Sequence, residues 1–109
     1  MIKVETKNLE KLEENIGYKF TNKKLLQNAL THTSYAYEHG VQSNEKLEFL
    51  GDSILEFVSS EYMYNKYLNL KEGQLTKVRA TVVCEKSLYK IATAHNFGEF
   101  LYLGKSEIK

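Results

Sequence analysis

An all-α fold is predicted by three observations. The chain has no proline and only six glycines in 109 residues, so few positions break a helix. Its apolar residues recur every three or four positions almost throughout, which is the period of a helix buried along one side. Hydrophobic residues make up 42% of the chain, enough for one core, and 109 residues is the usual size of one domain. No repeat, low-complexity tract or linker divides it.

In chain order, Asn8 is placed to cap a short helix whose Leu9, Leu12 and Ile16 share a face, with Gly17 ending it. Tyr18 and Phe20 then enter the core. Thr21 or Asn22 caps a second helix with Leu25, Leu26, Ala29 and Leu30 as its buried stripe, ending near His32. THTSYAYEHGVQS reads as a loop. His32 and His39 in it are structural histidines held by hydrogen bonds, because no second ligand stands at a metal spacing. Tyr35 and Tyr37 are assigned to packing, and Gly40 to a turn.

Ser43 or Asn44 caps a long helix running from about Asn44 to Tyr67, on the order of 35 Å at ~1.5 Å per residue. Leu47, Leu50, Ile54 and Val58 form its core-facing stripe. Its far half, SSEYMYNKYLNL, reads as core and helix contact. Glu61 is awkward on that side: either it is paired, or the helix has left the core by that point. Lys71-Glu72-Gly73-Gln74 breaks the pattern. The next helix turns Leu75, Val78, Val82 and Val83 inward, with Lys77 and Arg79 on other faces. The phase shifts at Cys84-Glu85, where Leu88, Ile91 and Ala92 begin a new stripe. Gly98 and Gly104 punctuate the final segment.

Composition excludes several classes. No apolar run reaches 18 residues, so no membrane span is predicted, and MIKVETKNLEKLEEN lacks the apolar centre of a signal peptide. A single cysteine, Cys84, precludes an internal disulfide and reads as a small buried hydrophobe. A reducing cytoplasm is the simplest location. The net charge of +1 gives no overall basic excess for nucleic acid, so any such contact needs metal ions, local lysines or help from another domain.

One stretch carries chemistry. In NEKLEFLGDSIL, Glu45, Glu48 and Asp52 stand three and four apart, within an arc of roughly 60° on a helix, and Glu56 widens it to about 80°. Such neighbours repel by a few tenths of a kcal/mol per pair unless a cation offsets them. Solvent, salt and nearby lysines are the commoner offset. Two features favour a site instead. Asp52 is the only aspartate in the chain and lies mid-helix, where aspartate is a poor helix former. Phe49 projects near the acidic side, where a monomer leaves it wet.

NEKLEFLGDSIL resembles the signature of the ribonuclease III family of double-stranded RNA endonucleases. YKFTNKKLLQNALTHTSY and EGQLTKVRATVVCEKSL resemble the segments flanking that signature, so the likeness covers nearly the whole chain in order. It implies a ribonuclease III endonuclease-domain helical bundle, a double-stranded RNA substrate, RNA processing, and a two-fold homodimer. It also implies that Glu48 and Asp52 ligate magnesium, with manganese as a substitute, and that Glu45 and Glu72 support the same catalytic cleft. Phe49 becomes a knob at the dimer interface. Magnesium suits carboxylates because it is hard, octahedral and retains waters. It lowers the pKa of bound water and offsets charge on the transition state.

The resemblance also marks a departure. The family completes its metal site with a second acidic pair, an aspartate and a glutamate three apart, beyond the segment that GKSEIK resembles. The expectation is therefore a catalytic domain over residues 1–109 that is incomplete at its C-terminus, lacks the double-stranded-RNA-binding domain, holds half a metal site and is inactive alone. Part of the long helix's apolar stripe would then be exposed. The alternative is a non-catalytic RNA-binding or assembly module of the same fold, which leaves four intact acids without a purpose. A di-iron bundle is set aside, because Glu-x-x-His motifs are absent.

Overall fold

The computed structural model describes residues 7–107. It contains α1 (Leu9–Ile16), α2 (Lys23–Ala29), α3 (Thr33–His39), α4 (Glu45–Lys66), α5 (Glu72–Val82) and α6 (Glu85–Ala94), then 3-10 turns at Phe97–Phe100 and Lys105–Glu107. The only extended pairing among the described residues is a single parallel bridge between Thr31 and Tyr102. The all-α expectation holds.

The first helices form where their caps place them. Asn8 accepts the Lys11 N–H at 3.2 Å, and Asn22 that of Leu25 at 3.2 Å, each satisfying an orphan donor of a first turn. Gly17 and Gly40 end α1 and α3 at φ 70° and 65°, a left-handed conformation that glycine adopts without a Cβ clash.

These elements enclose one core of Leu12, Leu26, Leu30, Tyr35, Phe100 and Tyr102, with Leu9, Ile16, Phe20, Phe97 and Leu101 packed against it. Tyr102 closes it. Its N–H donates to the Leu30 carbonyl at 2.9 Å, its carbonyl accepts from His32 at 3.0 Å, and its hydroxyl accepts from the Gln27 amide at 3.3 Å. Glu13 is buried beside the core, where its Oε2 accepts from Lys23 Nζ and from the Phe20 N–H, each at 2.5 Å. The Lys23 hydrogen bond, and then that of Phe20, hold the Glu13 carboxyl below the ordinary carboxylate range. Gly104 packs so closely on α3 that an added Cβ would lie 2.8 Å from Cβ of Ser34.

Several expectations are corrected. The THTSYAYEHGVQS stretch is not all loop, since Thr33–His39 forms α3. His32 caps it with Nδ1, which accepts the Ser34 N–H at 3.2 Å, a role more often filled by Ser, Thr, Asp or Asn. His32 and His39 are structural as expected. The His39 ring stacks on Tyr35 with centroids 3.8 Å apart, and its Nδ1 donates to the Tyr35 carbonyl at 3.1 Å. Tyr35 is core, whereas Tyr37 is 90% exposed. Tyr18 lies outside the core with its ring edge against Phe20. In α2 only Leu26 and the capping Leu30 are buried, and Leu25 and Ala29 are exposed.

The largest correction concerns α4. Its bounds agree with expectation, but Leu50, Ile54 and Val58 are each about half exposed and Met63 is its one buried residue. The far half is likewise exposed at Tyr62, Tyr64 and Leu68. Glu61 is exposed, the second of its two alternatives. The reason is packing: α4 runs out from the core with α5 folded back along it, so much of its circumference has no neighbour. The molecule measures 57 × 26 × 24 Å with a radius of gyration of 16.6 Å, against about 13 Å for a compact chain of this length. Val82 in α5 and Leu88 and Ile91 in α6 are exposed as well. Cys84 is half-buried rather than core, and caps α6. The Ser87 hydroxyl 3.3 Å away, and then the Ser87 N–H, lower its thiol pKa.

Candidate active site

The acid face lies on the exposed N-terminal half of α4. Asn44 occupies the capping position, but Ser43 supplies the contact, its hydroxyl accepting the Glu45 N–H at 3.4 Å. Glu45 and Glu48 stand in the first turn, where unpaired N–H groups and the positive end of the helix dipole offset part of their mutual repulsion.

The four carboxylates of the face have different surroundings. Glu45 Oε1 accepts a hydrogen bond from Thr33 Oγ1 at 3.1 Å. Glu56 Oε1 lies 3.6 Å from Arg79 Nη2, while Nη1 of the same arginine donates to Ser60 Oγ at 2.7 Å. Glu56 thus helps fasten α5 to α4. Between them, Glu48 and Asp52 are exposed and accept no hydrogen bond or ion pair from the described residues. They are four positions apart on one helix.

Glu72 begins α5 and lines a cavity of about 510 Å³ together with Met63, Tyr64 and Arg79. Met63 is eleven residues along α4 from Asp52, about 16 Å by helix rise. Within this chain, then, Glu72 is not brought to the Glu48–Asp52 pair. Phe49 is 79% exposed. No three His, Cys, Asp or Glu side chains among the described residues form a group that could hold a metal ion. Two hard carboxylates fit an oxygen-seeking divalent ion that keeps most of its waters, as a partial ligand set.

Thr33 and Arg79 are the site neighbours that sequence reading missed. Thr33 reaches Glu45 only because α3 folds against the start of α4, and no local pattern announces that. Arg79 sits seven residues after Glu72, on a face that helical spacing leaves open.

Comparison with known proteins gives the family of this helical chain. The family model described as Ribonuclease-III-like matches residues 22–109. Ribonuclease 3 of Listeria innocua is 50% identical over 103 residues, covering 92% of this chain and 45% of the relative. Ribonuclease 3 of Geobacillus thermodenitrificans is 50% identical over 101 residues, covering 90% and 41%. The nuclease domain of ribonuclease III from Campylobacter jejuni superposes with a TM-score of 0.84 at 45% identity, over 92% of this chain and 68% of that one. That structure is described for flexibility in a region involved in dimer formation. The chain belongs to the ribonuclease III family. It spans a little under half the length of the curated relatives it matches.

Proposed function

We propose that this chain is the catalytic-domain portion of a divalent-metal-dependent endoribonuclease that cuts double-stranded RNA. The carrying observation is the open Glu48–Asp52 pair on α4, in a chain 45% identical to a ribonuclease III nuclease domain. Magnesium, with manganese as a substitute, would supply an activated water and charge relief at the phosphate. Glu48 and Asp52 hold the cation. Glu45, with one oxygen taken by Thr33, supports them, and Glu72 acts from its own cleft. A net charge of +1 makes the cation the bridge between acid face and phosphate. The lone thiol suits a reducing cytoplasm, and no described helix is long and apolar enough to cross a membrane.

The test is cleavage of a long perfect RNA duplex in magnesium and in excess EDTA, beside a single strand of the same sequence. Two open carboxylates make a weak site, so turnover by these 109 residues is expected to be slow, abolished by EDTA and confined to the duplex. EDTA-resistant cutting sinks the metal reading. Robust cutting sinks the half-site view. Tight magnesium-independent duplex binding without cutting favours the non-catalytic module.

The reading includes a homodimer joined through α4, supported by the exposed Phe49, Leu50 and Ile54. Phe49→Glu is expected to shift the sedimenting species from dimer to monomer without changing the helical circular dichroism. Identical sedimentation of variant and parent removes Phe49 from the interface.

A further inference from the structure

Glu13 is the one charged side chain buried among the described residues, and the catalytic reading makes no use of it. It follows the core residue Leu12 near the end of α1. The chain then reverses around it. The Glu13 carbonyl accepts the Tyr18 N–H at 3.1 Å, and its Oε2 accepts the Phe20 N–H and Lys23 Nζ, each at 2.5 Å. Lys23 is the first residue of α2, and its side chain is 52% exposed. One carboxylate oxygen thus joins three consecutive pieces of the chain: α1, the connection of residues 17–22, and α2.

We propose that the Glu13 carboxylate, the Phe20 N–H and Lys23 form a proton-operated clasp, which holds α1 on the core while Glu13 is ionised and lets α1 open when it is protonated. An eight-residue helix is too short to persist in water by itself, so α1 depends on what fastens it. It covers the core with Leu9, Leu12 and Ile16. Hydrogen bonds to a charged acceptor are about twice as strong as neutral ones, and burial keeps salt from screening the pair. The same burial makes the clasp proton-sensitive. A neutral Glu13 holds its two donors weakly, and buried polar groups that lose their partners cost the fold their desolvation. Lys23 on α2 and Lys19 in the connection favour the carboxylate, whereas Glu10 and Glu14 of α1 line the same cavity, with Tyr18, and oppose it. Lys7, ahead of α1, lines the adjoining cavity with Lys23. The Lys23 hydrogen bond, and then that of Phe20, prevail, so Glu13 gives up its proton more readily in the fold than in an open chain. The clasp is therefore at full strength above the ordinary carboxylate range and is lost as pH falls through the lower value of the folded state.

The experiment measures amide hydrogen exchange and amide NMR shifts in the purified chain. Glu13→Gln, which keeps the shape and cannot ionise, is expected to lower the exchange protection of the α1 amides at neutral pH about tenfold or more. The Tyr102 amide, bonded to Leu30 across the core, is expected to keep its protection. In the parent, the Phe20 amide resonance is expected to move on acidification with a midpoint below the ordinary carboxylate range, and the α1 resonances to follow it. In Lys23→Met the Phe20 midpoint is expected to rise toward that range. Parental α1 protection in Glu13→Gln overturns the proposal, and so does an unchanged Phe20 midpoint in Lys23→Met. Equal loss of protection at α1 and Tyr102 overturns it as well, because that is unfolding of the whole rather than release of one helix. If Glu13→Gln fails to fold, the acid titration of the parent decides. Resonances of α1 that open together with the Phe20 shift while Tyr102 stays protected support the clasp, and α1 resonances unmoved through the Phe20 midpoint overturn it.

Discussion

Asp52→Asn is expected to lower magnesium-dependent duplex cleavage at least a hundredfold and to abolish Mn²⁺ binding, while leaving the melting curve near that of the parent. The substitution is nearly isosteric, and the Asp52 carboxylate has no partner among the described residues to lose, so little but its charge changes. Removing that charge leaves Glu48 as the one open carboxylate of the pair. A cation clamp on a phosphate is worth several kcal/mol in the transition state, and every 1.36 kcal/mol is about tenfold in rate. Metal binding, measured in parallel, reads the same ligand even where turnover is too slow to follow. Cleavage at the parental rate by Asp52→Asn would place the catalytic metal elsewhere, with Glu45 or Glu72 as the first alternatives.

Tyr102→Ala is expected to destabilise the fold by about 3–5 kcal/mol, the cost of emptying a buried aromatic site. At 1% exposure the ring is as enclosed as any among the described residues, 5.3 Å from the Tyr35 ring centre, and it packs against α2 and α3. A fall in Tm of roughly 15–30 °C follows for a domain of this size. Since small domains hold only about 5–15 kcal/mol in all, partial unfolding at room temperature is within reach. Tyr102→Phe keeps the ring and loses only the hydroxyl that accepts from the Gln27 amide and the Lys7 N–H, each at 3.3 Å, at about 1 kcal/mol per hydrogen bond. Equal melting of the Ala and Phe variants would show that the hydroxyl, rather than the ring, holds this corner.

What could be read from the sequence was local. The bounds of α4, the Asn8 and Asn22 caps, the Gly17 stop and the Gly40 turn rest on residues within one turn of each other, where backbone chemistry dictates the outcome. The spacing of Glu45, Glu48 and Asp52 is legible for the same reason. What failed was non-local. The apolar stripe of α4 has a helical period whether or not anything packs on it, so periodicity identified the face but not its neighbour. Tyr37 and Tyr18 show the same limit, because composition cannot tell a buried tyrosine from an exposed one. The α3 helix was hidden by an unusual cap, His32, and by its length of seven residues. At the site, the Thr33–Glu45 and Arg79–Glu56 contacts depend on how separate helices meet, and so does the cavity that Glu72 lines with Met63.

The Thr31–Tyr102 bridge also sets the order in which the molecule can assemble. The core is made from the two ends of the described chain, with roughly seventy residues between the bridged partners. Closing a loop of that length costs about 4 kcal/mol in chain entropy before any contact repays it. At ribosomal rates of about 5–20 residues per second, Tyr102 is made roughly 4–14 s after Thr31. Until then Leu26, Leu30 and Tyr35 have no lid, and Thr31, whose carbonyl accepts the Asn44 N–H at the start of α4, lacks its bridge. The acid face therefore gains its fixed geometry only after the segment carrying Tyr102 has been made.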